Sequence, residues 1–188
     1  MSFQASQPSA KIFASRCEPE LRAFIEIFHR WIQGQKLEGV LIDVADYSHV
    51  HQGPGVMLVA HEGYWAMDES GGHVGMFYKR RRGGPEEALS ALTSALRHAL
   101  TAAGLVEGDT DGVRFATDRV VVGFEDRLAA PNDSATFDAL SGELKTLAAR
   151  LFGEGATVTQ DGDARAPFRA QLAGTADVGL DALSARLA

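Results

Sequence analysis

Cysteine is almost missing from this 188-residue chain: Cys17 stands alone, so no intramolecular disulfide can form and a four-thiolate zinc site is excluded. Long apolar runs are missing too. Nothing approaches the roughly 18 consecutive apolar residues of a membrane span, and the first 16 residues hold no stretch resembling a signal peptide core. A cytoplasmic protein is expected. Positive charge is scarce, with 18 Lys and Arg against 25 Asp and Glu, a net charge of −7 that disfavours whole-surface binding to nucleic acid. Residues 105–188 carry most of that deficit, net −6 against −1 for residues 1–104, so an anion site belongs in the first part. Heptads, repeats of 20–50 residues and long low-complexity linkers do not occur, which excludes coiled coils and solenoids.

What is present is 45 % apolar and 23 % charged residues, enough to bury a core, over a length that suits one domain. Residues 1–18 read as a loose N-terminal segment and residues 19–188 as a single α+β domain, with possible halves at 19–104 and 105–188. Leu21, Phe24, Ile25, Phe28, Trp31 and Ile32 recur at helical spacing. The run 39–44 reads as a buried strand. Segments 56–60, 64–68 and 73–78, separated by short glycine-bearing turns, read as an antiparallel meander. A helix is expected from Pro85 to Gly104, its inner face formed by Leu89, Leu92, Leu96, Leu100 and Ala103. Then come strands near 113–116 and 120–124, a helix over 133–151 capped by Asn132 or Asp133, strands near 156–160 and 168–173, and a short helix over 180–187. The sum is a mainly antiparallel sheet of about seven to eight strands with three main helices packed on one face.

Two stretches carry candidate chemistry. In residues 43–55 a polar, glycine-containing connection holds Asp46, Tyr47, His49 and His51, and His61 with Glu62 follows in the next turn. His49 and His51, two residues apart, can face one point, and His61 or Asp46 can complete a divalent metal site. The length of the intervening strand opposes this, since it can put His61 at the far end of the sheet. Asp43 or Asp46 with His49 is an alternative acid–base pair. Ser48 lacks the G-x-S-x-G turn of a hydrolase serine, and Cys17, near a helix start, is expected to have a somewhat favoured thiolate.

In the second stretch Lys79, Arg80, Arg81 and Arg82 lead through Gly83 and Gly84 into a helix start, the components of an anion pocket. Strand alternation would let only half of the cations converge, and Glu86 and Glu87 compete for the helix terminus. P-loop and dinucleotide-binding patterns are absent, and so are RNP-type sequences. The aromatics Tyr64, Trp65, Phe77 and Tyr78 sit on neighbouring strands, but Tyr64 and Trp65 must face opposite sides, so at least one serves the core.

The segments HRWIQ (29–33), LIDVADYSHV (41–50), GPGVMLVAHE (53–62) and RLAAPND (127–133) resemble a bacterial protein family, cyanobacterial members included. The resemblance spans most of the chain. It implies a bacterial, stand-alone polypeptide and transfers no catalytic residue. The residues themselves support a non-catalytic binding or interaction protein for an anionic small molecule or protein partner, with a homodimer through a sheet edge. The alternative is a metal-dependent hydrolase or lyase using His49, His51 and His61.

Overall fold

The computed structural model describes residues 3–162 and 164–188. In chain order the elements are β1 (Gln4–Ala5), β2 (Pro8–Cys17), a 3-10 turn (Leu21–Ala23), α1 (Phe24–Gln33), β3 (Leu41–Tyr47), β4 (Gly55–Ala60), β5 (Gly63–Asp68) and β6 (Gly75–Arg80). They continue as β7 (Glu86–Glu87), α2 (Ala88–Asp109), β8 (Val113–Phe115), β9 (Arg119–Phe124), α3 (Ser134–Phe152), β10 (Thr157–Asp161), β11 (Phe168–Ala173) and α4 (Leu180–Arg186). The fold is α+β. Eight strands run in the order β10-β11-β9-β2-β6-β5-β4-β3, every pairing antiparallel, and β8 joins beside the far end of β2 to make nine.

The N-terminal segment is the main correction. Residues 8–17 form the central strand, paired with β6 on one side and with β9 and β8 on the other. Pro8 and the surrounding serines imitate a tail in composition. Yet Ala10 and Ile12 alternate with Ser9, Lys11 and Phe13, and the period of two sends the apolar pair to the helices, where Ala10 and Ile12 are 1 % and 0 % exposed. Because β2 joins strands from both sides of residue 104, the sheet is continuous across the two suggested halves.

Helices cover one face. Ala10 and Ile12 of β2, Val56 and Leu58 of β4, Trp65 and Met67 of β5, Met76 and Tyr78 of β6, Val122 of β9 and Ala170 of β11 pack with the helices in one core. From α1 that core takes Phe24, Ile27, Phe28 and Trp31, and the Trp31 indole N–H donates to Asp109 at 2.6 Å. α2 is buried on all but one stripe (Ser90, Arg97, Thr101, Gly104 and Gly108), which its alanines permit by letting strands and helices approach closely. It runs on through Gly104 to Asp109, five residues past the expected stop, because Ala102, Ala103 and Val106 on either side of Gly104 are buried in the core. α3 matches its expected capping: the Asp133 carboxylate accepts from the Thr136 N–H at 2.8 Å.

The strand at 39–44 is also corrected. β3 spans Leu41–Tyr47 and is an edge strand, with Ile42 57 % exposed, where the apolar run alone reads as buried. Its free edge is blunted: the chain bulges between Leu41 and Asp43, and the Asp43 carboxylate accepts from the Val44 N–H at 2.8 Å. No helix is long and apolar enough to cross a membrane among the described residues.

Candidate functional site

The four consecutive cations do not converge. β6 ends in Lys79 and Arg80, and strand alternation turns Lys79 to the uncovered face, opposite Ser9 and Tyr64, and Arg80 to the helix face. Arg81 and Arg82 lie past the strand, exposed, their backbone N–H groups donating to the Glu62 carbonyl at 2.8 and 3.0 Å. The expected helix start behind Gly83 and Gly84 is corrected as well. Residues 86–87 stay extended because β7 pairs with β1, α2 begins at Ala88, and the Ala88 N–H is taken by the Phe3 carbonyl at 3.0 Å. Gly83 and Gly84 therefore form a loop away from any helix terminus.

That loop covers Arg80 instead. Gly83 has φ +107°, a conformation few residues but glycine adopt, and it lies beside the guanidinium, its Cβ position 3.7 Å from the Arg80 Nε. Arg80 Nη1 donates to Glu86 Oε2 at 2.9 Å, while Nε and Nη2 are buried and have no acceptor among the described residues. Those two nitrogens form one edge of the guanidinium plane, the edge that takes a carboxylate in a two-pronged hydrogen bond.

Arg80 lines a cavity of about 250 Å³ at the end of the sheet, with Trp65, Tyr78 and His98 as its aromatic wall and Glu38 and Glu62 at its rim. The rings are in contact. Trp65 and Tyr78 lie 5.1 Å apart, His98 stacks on Tyr78 at 4.5 Å, and the Trp65 indole N–H donates to the His98 carbonyl at 3.1 Å. Burial, with help from Arg80, holds the His98 imidazole below its ordinary pKa against the opposing pull of Glu38. Burial also pushes the Tyr78 phenol up to about 12. The cavity thus presents neutral rings beside a fixed cation at neutral pH. Trp65, Phe77 and Tyr78 expose 6 % or less: Trp65 and Tyr78 serve packing and this cavity, Phe77 turns to the opposite face, and no row of exposed rings faces solvent among the described residues.

The histidines do not gather. Tyr47 closes β3 with its ring 6.4 Å from that of His49, and His51 is exposed in the following turn. His61 lies at the other end of β4, six residues or roughly 20 Å of strand away, where its Nδ1 pairs with Glu62 at 2.8 Å. No group of three or more His, Cys, Asp or Glu side chains among the described residues is placed to hold a metal ion. Asp46 is engaged locally: it accepts from the Ser48 N–H at 2.9 Å and pairs with Arg22 at 3.3 Å. The Ser48 hydrogen bonds, aided by Arg22, hold its carboxyl below the usual range. His49 borders an open hollow with Cys17, Arg22 and Glu69. Cys17 ends a strand seven residues before α1 begins, and burial pushes its thiol up, the reverse of an activated thiolate.

Sequence reading missed a polar system on the uncovered face. Lys11 and Asp68 pair at 2.5 Å with side chains 7 % and 8 % exposed, and Lys11 also donates to the Ser70 carbonyl at 3.0 Å. Beside them Glu125 accepts from Arg169 at 3.1 Å and from Ser9 at 2.9 Å. Burial draws Lys11 below its ordinary pKa despite Asp68. The alternation of Ser9, Lys11 and Phe13 with Ala10 and Ile12 was the available signal, masked once residues 1–18 read as a tail.

No protein-family model matches the chain, and no curated protein matches it.

Proposed function

We propose that this chain is a non-catalytic binding protein that holds a small monoanion in the cavity walled by Trp65, Tyr78 and His98, with the free edge of Arg80 as its anchor. The unpaired edge carries the reading. A buried donor without an acceptor costs about 1–3 kcal/mol, more when it is charged, and such a group is retained where an occupant supplies the acceptor. A carboxylate fits the guanidinium in plane, and the aromatic wall receives a flat or apolar body behind it. Glu38 and Glu62 at the rim select against multiply charged ligands. Gly83 and Gly84, in the loop beside Arg80, give the backbone the conformational freedom that entry to the buried edge requires.

Calorimetric titration of small carboxylates, benzoate and its homologues first, against inorganic phosphate tests this. A carboxylate is expected to bind, and Arg80→Gln and Arg80→Lys are each expected to weaken it by about tenfold or more, because neither replacement keeps the two-pronged edge. Equal binding by wild type and Arg80→Gln, or no carboxylate binding at all, overturns the reading.

A second reading, an interaction protein, is favoured by the exposed Val40, Ile42, Tyr47 and Val50, spread along β3 and its two ends. A cytoplasmic homodimer through that edge belongs to it. Its capped Val44 N–H leaves side-chain contact, not strand addition, as the mode of association. Light scattering that returns only monomer at high protein concentration removes the homodimer.

A further inference from the structure

We propose that the uncovered face of the sheet carries a second, independent site, and that it takes a free amino acid with an aromatic side chain, bound as its zwitterion. A hollow of about 370 Å³ opens there over β2, β6, β9 and β11, bordered by Ser70, His73 and Asp161. Two rows of residues run across it. In one, Gln171, Val121, Lys11 and Phe77 are successive cross-strand neighbours; in the other, Arg169, Gly123, Ser9 and Lys79 are. Gly123 lets β11 approach closely, since a Cβ there would lie 2.1 Å from the Phe168 carbonyl oxygen, and the Arg169 side chain lies over it and reaches Glu125.

Three features identify the ligand. The first is unspent donors. Lys11 uses two of its three protons on Asp68 and the Ser70 carbonyl, and Arg169 holds Glu125 through Nη2 while its Nε is buried and unpartnered. Lys11 and Arg169 both line the hollow. The second is the balance of charge. Lys11, Arg169 and Lys79 face Asp68, Glu125 and Asp161, three charges of each sign, and Arg119 nearby is already paired with Asp118. A plain anion leaves Asp161 unmatched, and a plain cation leaves the free donors unmatched. A molecule with a carboxylate for Arg169 and Lys11 and an ammonium for Asp161 satisfies both poles. The third is the aromatic surface. Phe13 and Phe77 line the hollow, with Lys11 5.7 Å from the Phe13 centroid, Arg169 5.8 Å from that of Phe77, and His73 edge-on to Phe13 at 6.0 Å. A ring on the ligand extends that cluster.

The placement of the ion pairs argues the same way. Buried salt bridges contribute little to stability compared with apolar side chains of similar size, and no helix packs on this face to demand them. Lys11 and Asp68, kept nine-tenths buried beside an open hollow, are what recognition of a charged ligand needs.

Titration calorimetry on the full chain with phenylalanine, 3-phenylpropionate and phenethylamine separates the possibilities. Phenylalanine is expected to bind about tenfold tighter than either analogue, each of which lacks one pole. Asp161→Asn, at an exposed position, and Arg169→Gln are each expected to cost a similar factor, with circular dichroism confirming the fold. Arg80→Gln is expected to leave phenylalanine binding unchanged, so failure of the first site and of this one are distinguishable. Absence of binding by phenylalanine, tyrosine and tryptophan at millimolar concentration overturns the proposal. So does 3-phenylpropionate binding as tightly as phenylalanine, or wild-type affinity in both site variants.

Discussion

His98 and Arg80 lie at one end of the sheet under opposite demands: the imidazole is kept neutral by burial while the guanidinium cannot lose its charge. The folded chain therefore binds a proton at His98 less readily than the unfolded chain, whose value is near 6.5. Stability from this group is full above that value and declines as pH falls through the window between 6.5 and the lower folded value. Urea titrations at stepped pH are expected to show that decline, and His98→Phe is expected to flatten it.

Lys11 and Asp68 pose the complementary case. Lys11→Met strands a buried carboxylate and is expected to cost about 3–5 kcal/mol, whereas Lys11→Met with Asp68→Leu is expected to lie near wild type. A double-mutant cycle measured by chemical denaturation checks this. Neither residue is conspicuous in sequence, because a lysine in a polar N-terminal stretch and an aspartate before a turn resemble ordinary solvated side chains. Arg80 was legible as a cation in a cluster. Its isolation from Lys79 follows from strand alternation, but its aromatic neighbour His98 comes from a helix 18 positions on, which no local pattern announces.

At the scale of elements, helices were the most readable. The stripe ending at Trp31 and the Asp133 cap are local events, set by spacing and by one carboxylate within reach of a backbone N–H. α2 shows where local reading stops. Glycine is a frequent helix terminator, yet Gly104 sits inside the helix, exposed, because burial of Ala99, Leu100, Ala102, Ala103 and Val106 outweighs its conformational cost. Gly104→Ala meets nothing within 4 Å and is expected to stabilise the protein by about 0.5–1 kcal/mol, visible as a higher urea midpoint. β3 illustrates the converse. An apolar run identifies a strand but not its position, and only the pairing order puts this one at the edge with Ile42 facing solvent.

For the whole molecule, β2 is the element on which both sides of the sheet depend. It bridges the four-strand series β6-β5-β4-β3 and the series β9-β11-β10, and its inward Ile12 is completely buried. Ile12→Ala is expected to cost about 2–5 kcal/mol. The loss is expected in one transition seen alike by tryptophan fluorescence and far-ultraviolet circular dichroism, since the core is shared. Two separated transitions would show that the sides fold independently.

The sequence by itself determined the local elements and the class of fold: residue spacing sets which face of a helix or strand is apolar, and turns of a few residues impose antiparallel neighbours. The tertiary structure alone decided that the N-terminal segment is the central strand, that His61 stands apart from His49 and His51, and that Arg80, Lys11 and Arg169 acquire their partners. The physical reason is range. Periodicity and capping act over a few residues along the chain, whereas strand order, burial and the company of a charge depend on contacts between segments far apart in sequence, such as Ser9 with Glu125 and Lys11 with Asp68.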